Sequence, residues 1–393
     1  MTTTPTFIAT IVLLVFLVGC SAPPVNPRQP ISESVVLSDT RQLTAGFSRV
    51  GEGAFSPDMR WVIFHAAAPG EMFEQVFVAP LRWDGETITG MGRPIRVSPT
   101  GSRNAGAVVS PDGRSFVMAS TGEQELGTGD NGTFVTPQIP EVTGSTQPTE
   151  KPIRLFRADV WEPAVTSARP GSIVDLAKYP IQLGDAVANG LSVSRPTYSP
   201  DGQWIAADVG LISGVQAVVE GPIDARLLVA RADGKNAIVL QRDPLVNTVS
   251  RPHFSPDGQR LLFVKPVWDG ATASRLNVSF DLVVAKLQRE KGDIVGWANE
   301  KVTTIKSGSN GAADWHPLGK HIVYSSVLTG EITARVRIIR ADGTLRTNLT
   351  HVGPGDFNPV ISADGRYLLW TSTRSQDGSM QLFVAKLTLP KGI

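Results

Sequence analysis

The stretch that decides the fold reads FSPDGQRLLFV and occupies residues 254–264. Close copies read YSPDGQWIA at 198–206 and VSPDGRSFVM at 109–118, and more divergent copies begin at 55, 315 and 361. Counted from the position of the aspartate, the six copies stand at 58, 112, 201, 257, 318 and 364, so the steps between them are 54, 89, 56, 61 and 46 residues. A recurring unit of this size predicts a repeat architecture.

Each copy predicts a tight β-hairpin followed by a buried strand. Proline fixes φ close to the value that the first central position of the turn requires, and glycine takes the left-handed position after the aspartate without a steric penalty. The run that follows, such as LLFV at 261–264, is apolar on consecutive residues, as in a strand covered on both faces. Further apolar strands recur near 76–79, 227–230, 282–287, 336–339 and 382–387. The pattern predicts an all-β fold, a six-bladed β-propeller of four-stranded antiparallel blades.

The Ser-Pro-Asp-Gly turn with its apolar strand resembles the TolB-like, WD40-like (PD40) repeat of bacterial envelope proteins. The resemblance covers roughly residues 40 to 393. Resemblance to TolB itself would imply a small α/β domain before the propeller. Here, in contrast, the first repeat begins soon after the N-terminus. The resemblance therefore implies a TolB-like propeller without that α/β domain.

The N-terminal segment is expected to close the propeller ring. The sequence Gln42-Leu43-Thr44 matches Asn348-Leu349-Thr350, which precedes the sixth unit as an outer strand. We therefore predict that an N-terminal strand joins the last blade, which removes both open sheet edges.

The segment 1–20 is typical of a lipoprotein signal peptide. An apolar run at 7–19 is too short for a comfortable transmembrane helix and ends at Cys20, within a sequence that resembles a bacterial lipobox. Cys20 is the expected lipidation site, with an uncleaved anchor or a misassigned start codon as the alternatives. We expect a Pro-rich tether at 21–35 and the propeller at 36–393, with a loop insertion at 122–151 that is either a loop without a specific role or a partner-binding arm. Ser21 after the cysteine favours the outer over the inner membrane, with the propeller facing the periplasm.

Composition and motifs restrict the possible chemistry. The chain has 37 Lys and Arg against 36 Asp and Glu, so nothing favours a nucleic acid as partner. The G-x-G-x-x-G match at 127–132 is followed by prolines and not by a helix, and no G-x-S-x-G elbow occurs. The five histidines show no zinc-binding spacing, so we expect no metal, no cofactor and no catalytic residues. Oligogalacturonate lyases resemble this fold and use a metal with His ligands, but no such cluster is visible.

Polar residues recur on the innermost strands, which line the channel of a propeller. Ser-Arg appears in four of the six units, with the arginine nine residues before the repeat aspartate in two and six residues before it in the others. Several guanidinium groups at one channel mouth would attract an anionic ligand such as a carboxylate. The alternative is that each arginine pairs with a neighbouring blade or with water. The candidate channel-mouth residues are Arg49, Arg103, Asn104, Arg195, Arg251, Asn310, Asp356 and Asn358.

These observations favour a non-enzymatic function. We expect a monomeric envelope lipoprotein whose propeller recognises another envelope protein or a cell-wall component and whose lipid holds it to the membrane. The alternative is a small-ligand binder or an enzyme that uses the propeller channel, for example on an acidic saccharide or a peptide carboxylate.

Overall fold

A computed structural model describes residues 32–122, 151–187, 191–211, 223–240, 249–267, 279–304 and 308–389. The predicted signal peptide with Cys20, most of the tether and residues 123–150 of the loop insertion lie outside these ranges. Within the described residues the chain is all-β with a propeller arrangement. Its helical elements are short: α1 (Glu33–Val36), α2 (Trp161–Thr166) and the 3-10 turn η1 (Gly184–Ala186). No helix in these ranges is both long enough and apolar enough to cross a membrane.

The strands form six groups in chain order, and each group begins with a strand that ends at one of the six repeat turns. Strand β1 (Leu37–Gln42) precedes the first group, which comprises β2 (Arg49–Phe55), β3 (Trp61–Ala67), β4 (Gln75–Asp84), β5 (Thr87–Met91) and β6 (Ile95–Arg96). The second group comprises β7 (Asn104–Val109), β8 (Ser115–Ser120) and β9 (Arg154–Asp159). The third comprises β10 (Ser192–Tyr198), β11 (Trp204–Leu211), β12 (Ile223–Arg231) and β13 (Ile238–Leu240).

The last three groups follow the same order. The fourth comprises β14 (Ser250–Phe254), β15 (Arg260–Val267), β16 (Ser279–Glu290) and β17 (Asp293–Val302). The fifth comprises β18 (Gly308–Trp315), β19 (His321–Leu328), β20 (Arg335–Arg340) and β21 (Thr347–Asn348). The sixth comprises β22 (Asp356–Ile361), β23 (Tyr367–Ser372) and β24 (Gln381–Leu387). Among the described strands, neighbours within a group are antiparallel, and one parallel pair, Phe280 with Ser309, joins the fourth and fifth groups into one sheet.

The repeat turns have the predicted chemistry. In the first turn the Ser56 hydroxyl donates to Asp58 Oδ1 at 2.6 Å and accepts the backbone N–H of Trp61 at 2.9 Å. Asp58 Oδ1 also accepts the N–H of Arg60 at 3.1 Å. Met59 occupies the left-handed position (φ 57°) that glycine takes in the other five turns. The turn therefore depends on the Ser and Asp side chains, and the glycine only removes strain.

The second group departs from the predicted four-stranded pattern. Its sheet has three strands within the described residues, and after β9 the chain forms α2, in which Trp161 is buried. A single bridge then pairs Phe156 with Pro180. Because proline has no backbone N–H to donate to a neighbouring strand, this outer segment forms isolated hydrogen bonds instead of a regular ladder. The hydrogen bond from Ile181 N–H to the Leu155 carbonyl, at 2.8 Å, is one of them.

Six buried hydrophobic clusters join each strand group to the next. The middle strands β3, β8 and β23 are buried at every position, as their consecutive apolar residues predict. Each cluster combines side chains from two groups, and the last one joins the sixth group to the first. Representative pairs are Ile63 with Phe116, Val117 with Ile205, Trp204 with Phe263, Leu262 with Tyr324, Val323 with Trp370, and Phe64 with Leu369.

Strand β1 lies at the edge of the sixth group. It pairs antiparallel with β24, with Leu37 opposite Leu387 and Gln42 opposite Phe383. The following Thr44 hydroxyl accepts the N–H of Leu382 at 2.8 Å. The equivalent Thr350 hydroxyl of the fifth group accepts the N–H of Val336 at 3.0 Å. The two matching sequence segments therefore make the same contacts.

Candidate functional site

A cavity of about 450 Å³ lies between the innermost strands of all six groups. Its lining contains the residue six positions before the repeat aspartate position in every group, which we call the first ring: Glu52, Gly106, Arg195, Arg251, Ala312 and Asn358. It also contains the residue four positions before, which we call the second ring: Ala54, Val108, Thr197, His253, Asp314 and Val360. Residues of the turns themselves, Ser56, Pro57, Pro111 and Pro200, line it too. The cavity is therefore the propeller channel, and it extends to the side of the repeat turns.

A β-bulge places the first ring in the channel. The pairing register shifts in each innermost strand, for example between Ser194 and Thr197. Arg195, Arg251 and Asn358 have left-handed backbones, with φ of 49°, 58° and 48°. Each precedes a proline, which cannot donate to the ladder. A bulge changes the direction in which the side chain of the bulged residue points. Non-glycine residues with a left-handed backbone concentrate at functional sites.

Glu52 connects strand groups that are far apart in the sequence. Its Oε1 atom lies 2.8 Å from Arg251 Nη1 and 3.2 Å from Arg195 Nε. Glu52 belongs to the first group and the arginines to the third and fourth, so this ion pair spans the channel. Burial alone would raise the pKa of Glu52, but the positive charges of Arg251 and Arg195 outweigh it and lower that pKa to about 2. The Glu52 carboxylate is therefore ionised at neutral pH.

Asp208 supports the same two arginines from the next strand. It is fully buried, its Oδ1 atom accepts the N–H of Arg251 at 2.7 Å, and its Oδ2 atom lies 3.4 Å from Arg195 Nη1. Burial raises the pKa of Asp208 to about 6 despite the neighbouring arginines. Burial also lowers the pKa of Arg251, with a further contribution from Arg195, whereas Glu52 and Asp208 together outweigh burial and raise the pKa of Arg195. The four side chains form one charge-balanced cluster.

Two histidines also reach the channel. His65 follows its repeat aspartate by seven residues, as Asp208 follows its own, and it is buried beside Glu52. Burial lowers the pKa of His65, and its Nε2 atom has no hydrogen-bond partner within the described residues. In the second ring, His253 Nδ1 lies 3.5 Å from Asp314 Oδ1. Asp314 in turn accepts the N–H of Ile361 at 2.9 Å, which fixes its orientation.

The predicted arginines separate according to their distance from the turn. Arg195 and Arg251, six residues before the aspartate, line the cavity together with Asn358. Arg49 and Arg103, nine residues before it, do not line the cavity. Arg49 Nε lies 2.9 Å from Glu74 Oε1, and Arg103 Nη2 donates to the Lys151 carbonyl at 2.9 Å.

The other predicted residues support the backbone. The amide of Asn104 donates to the Glu74 carbonyl at 3.0 Å, and that of Asn310 donates to the Phe280 carbonyl at 2.7 Å. Asp356 is fully buried and accepts the indole N–H of Trp370 at 3.1 Å. These three residues are thus not among those that line the cavity.

Three residues at this site were not predicted from the sequence: Glu52, Asp208 and His65. Glu52 has the same six-residue offset as Arg195 and Arg251, so alignment of the copies on the aspartate position could have found it. Asp208 and His65 share a seven-residue offset on the second strand, within runs that look like core. Across the described ranges, no group of three or more His, Cys, Asp or Glu residues is placed to hold a metal ion.

The two faces of the strand groups differ in their connections. The six repeat turns lie on one face, the turn face, and each has five residues, from 56–60 to 362–366. The second strand of each group ends, and the third begins, at the opposite face, which we call the connector face. The number of residues between these two strands differs widely, from the shortest connection at 329–334 to the longest at 121–153. The connector face exposes the apolar side chains of Met72, Ile332 and Val352, and the turn face exposes those of Val160 and Leu318.

Comparisons with known proteins show that this chain is similar to several solved structures. No family model and no curated protein matches the chain. A protein assigned as TolB from Agrobacterium tumefaciens is 13% identical with a TM-score of 0.48, covering 86% of this chain and 91% of that one. TolB from Acinetobacter baumannii is 14% identical with a TM-score of 0.46, covering 88% and 65%. An oligogalacturonate lyase in complex with manganese is 14% identical with a TM-score of 0.45, covering 89% and 91%. At these identities and TM-scores no activity, substrate or partner carries over to this chain.

Proposed function

We propose that the six strand groups are the six blades of a closed ring. Three observations support this: the six repeat turns, the clusters that join each group to the next and the sixth to the first, and the pairing of β1 with β24. In such a ring β1 completes the last blade and no sheet edge stays open between the chain ends.

We further propose that this ring is the folded part of an exported lipoprotein. The supporting observation is the apolar run at 7–19 that ends at Cys20, followed by the Pro-rich segment. Within the segment 21–35 that we expect to form the tether, Glu33 contacts Arg374 of the sixth group. Replacement of Cys20 by Ser should move the protein from the membrane fraction to the soluble fraction. An unchanged membrane fraction would contradict a lipid anchor at this residue.

The function that we propose is recognition of an envelope protein or a cell-wall component by the connector face. The carrying observation is the contrast between the faces: six turns of identical length on one, and connections of widely different length on the other, as 329–334 and 121–153 illustrate. Uniform turns serve the fold, whereas variable connections on a rigid scaffold commonly carry binding. Ile332 and Val352 are exposed apolar residues on that face, and no other part of the described chain covers their side chains.

A crosslinking pull-down from native envelopes tests this proposal. The test variant carries Ile332→Ser and Val352→Ser, and the matched control carries Leu318→Ser, because Leu318 is a similarly exposed apolar residue on the turn face of the fifth strand group. We expect a stoichiometric partner with the wild type and the control, and its loss with the test variant. A partner that is lost only in the control would place recognition on the turn face and contradict the proposal.

A further inference from the structure

The guanidinium groups of Arg195 and Arg251 converge on one carboxylate oxygen in the channel. Both contact Glu52 Oε1, at 3.2 and 2.8 Å. Two guanidinium groups around one oxygen form the arrangement in which proteins bind carboxylate ligands, since charged hydrogen bonds of this kind are strong and directional. Here the carboxylate comes from the chain itself.

Asp208 holds the backbone of Arg251 and the guanidinium of Arg195 independently of Glu52. The Oδ1 atom of Asp208 accepts the backbone N–H of Arg251, its Oδ2 atom contacts the guanidinium of Arg195, and its side chain is fully buried. Arg195 is 10% exposed and Arg251 21%, while Glu52 is 33% exposed to the cavity. Glu52 is thus the most exposed of these three side chains, and the Arg195 guanidinium that would receive another carboxylate keeps a second partner in Asp208.

The cavity beside this pair has room and chemistry for a small acid. Its volume is about 450 Å³ and it reaches the turn face. Ala54, Val108 and Val360 supply apolar wall, and Asn358 supplies an amide to the same cavity. The unpartnered Nε2 atom of His65 is a buried polar group in the same wall, where an unsatisfied polar atom has an energetic cost.

We propose that Arg195 and Arg251 bind the carboxylate of a small organic acid with an apolar body, and that Glu52 occupies this site as an internal ligand until the acid displaces it. The exchange replaces one carboxylate by another, so the arginines keep a counter-ion throughout. Displaced Glu52 turns into the water-accessible cavity. This proposal concerns the channel and does not depend on recognition at the connector face.

Benzoate, with acetate as the probe that lacks an apolar body, tests the site by calorimetry and by thermal shift on the full chain. We expect saturable benzoate binding to the wild type, weaker acetate binding, and benzoate binding at least about tenfold tighter to Glu52→Gln, because the internal competitor is gone. Glu74→Gln is the matched control: it removes the carboxylate paired with Arg49 outside the cavity and should bind benzoate as the wild type does.

The double variant Glu52→Gln with Arg251→Gln should lose the tight benzoate binding, and circular dichroism establishes whether each variant is folded. If Glu52→Gln unfolds, competition between benzoate and chloride on the wild type is the alternative measurement, with weaker benzoate binding expected as chloride rises. Equal benzoate affinity with and without Arg251 would overturn the site. Binding to Glu52→Gln, but none to the wild type at a hundredfold higher benzoate, would overturn the displacement, because Glu52 would then be a permanent structural partner.

Discussion

The carboxylate of Glu33 lies 2.6 Å from the guanidinium of Arg374, which fixes the first described helix to the last hairpin. Glu33 also accepts the N–H groups of His351 and Val352, and Arg374 continues the contact to buried Asp356 at 3.1 Å. The chain ends are thus joined by an ion-pair network in addition to the pairing of β1 with β24. Because these residues are more than 300 positions apart, the network stabilises the fold only when the whole chain is present.

Replacement of Glu33 by Gln should therefore destabilise the protein. The change removes one of the carboxylates that Arg374 contacts and weakens two backbone contacts, so we expect a loss of about 2 kcal/mol in the free energy of unfolding. Urea denaturation should show a lower midpoint with an unchanged slope. Glu86→Gln is the control, because the Glu86–Arg366 pair is exposed and should contribute little to the stability. Equal effects of both changes would contradict a special role for Glu33.

Replacement of Glu52 by Gln should have a pH-dependent effect. The pKa of Glu52 is lowered to about 2, so its contribution is fully present above about pH 4.5 and is lost as the pH falls from there towards 2. At pH 7 we expect a loss of about 2 kcal/mol in the free energy of unfolding, discounted for the exposure of Glu52. The difference from the wild type should shrink between pH 5 and pH 3 in denaturation curves. A constant difference across that range would contradict the assignment.

Replacement of Asp208 by Asn should show the opposite pH dependence. Burial raises the pKa of Asp208 to about 6, so its favourable contribution is complete below about pH 3.8 and is lost as the pH rises through 6. Between pH 4 and pH 7, the free energy of unfolding of the variant should therefore rise relative to that of the wild type. The expected change is about 3 kcal/mol, because the pKa of Asp208 is raised by about two. Parallel stability curves for the two proteins would show that Asp208 does not titrate in this window.

The hydroxyl groups of Thr44 and Thr350 should contribute equally. Each accepts a backbone N–H of the neighbouring strand and is fully buried. Thr→Val at either position leaves that N–H unsatisfied at nearly constant volume, so we expect a loss of about 1–2 kcal/mol for each. Thermal unfolding of both variants checks this. A much smaller effect for Thr44→Val would mean that β1 contributes less than an outer strand of the other groups.

The sequence predicted the repeat turns correctly because their chemistry is local. A serine, an aspartate and a glycine within four residues determine four of the six turns, and Met59 replaces the glycine in the first while His316 and Leu318 replace the serine and the aspartate in the fifth. Consecutive apolar residues indicate strands buried on both faces. The same spacing distinguished Arg49 from Arg195, although it did not show which of them lines the channel. The sequence did not predict that the second group has three strands within the described residues, because Pro180 and the buried Trp161 lie in a segment without a repeat signal.

By itself, the sequence determined the all-β repeat, the positions of the six turns and the offset that separates the two kinds of arginine. Only the tertiary structure decided that Glu52, Asp208 and His65 meet Arg195 and Arg251 in one cavity. The physical reason is that a turn depends on residues next to one another in the chain. A charge cluster across a channel depends on groups that the packing of separate sheets brings together, as with Glu52 and Arg251, which lie 2.8 Å apart although they are 199 positions apart in the chain.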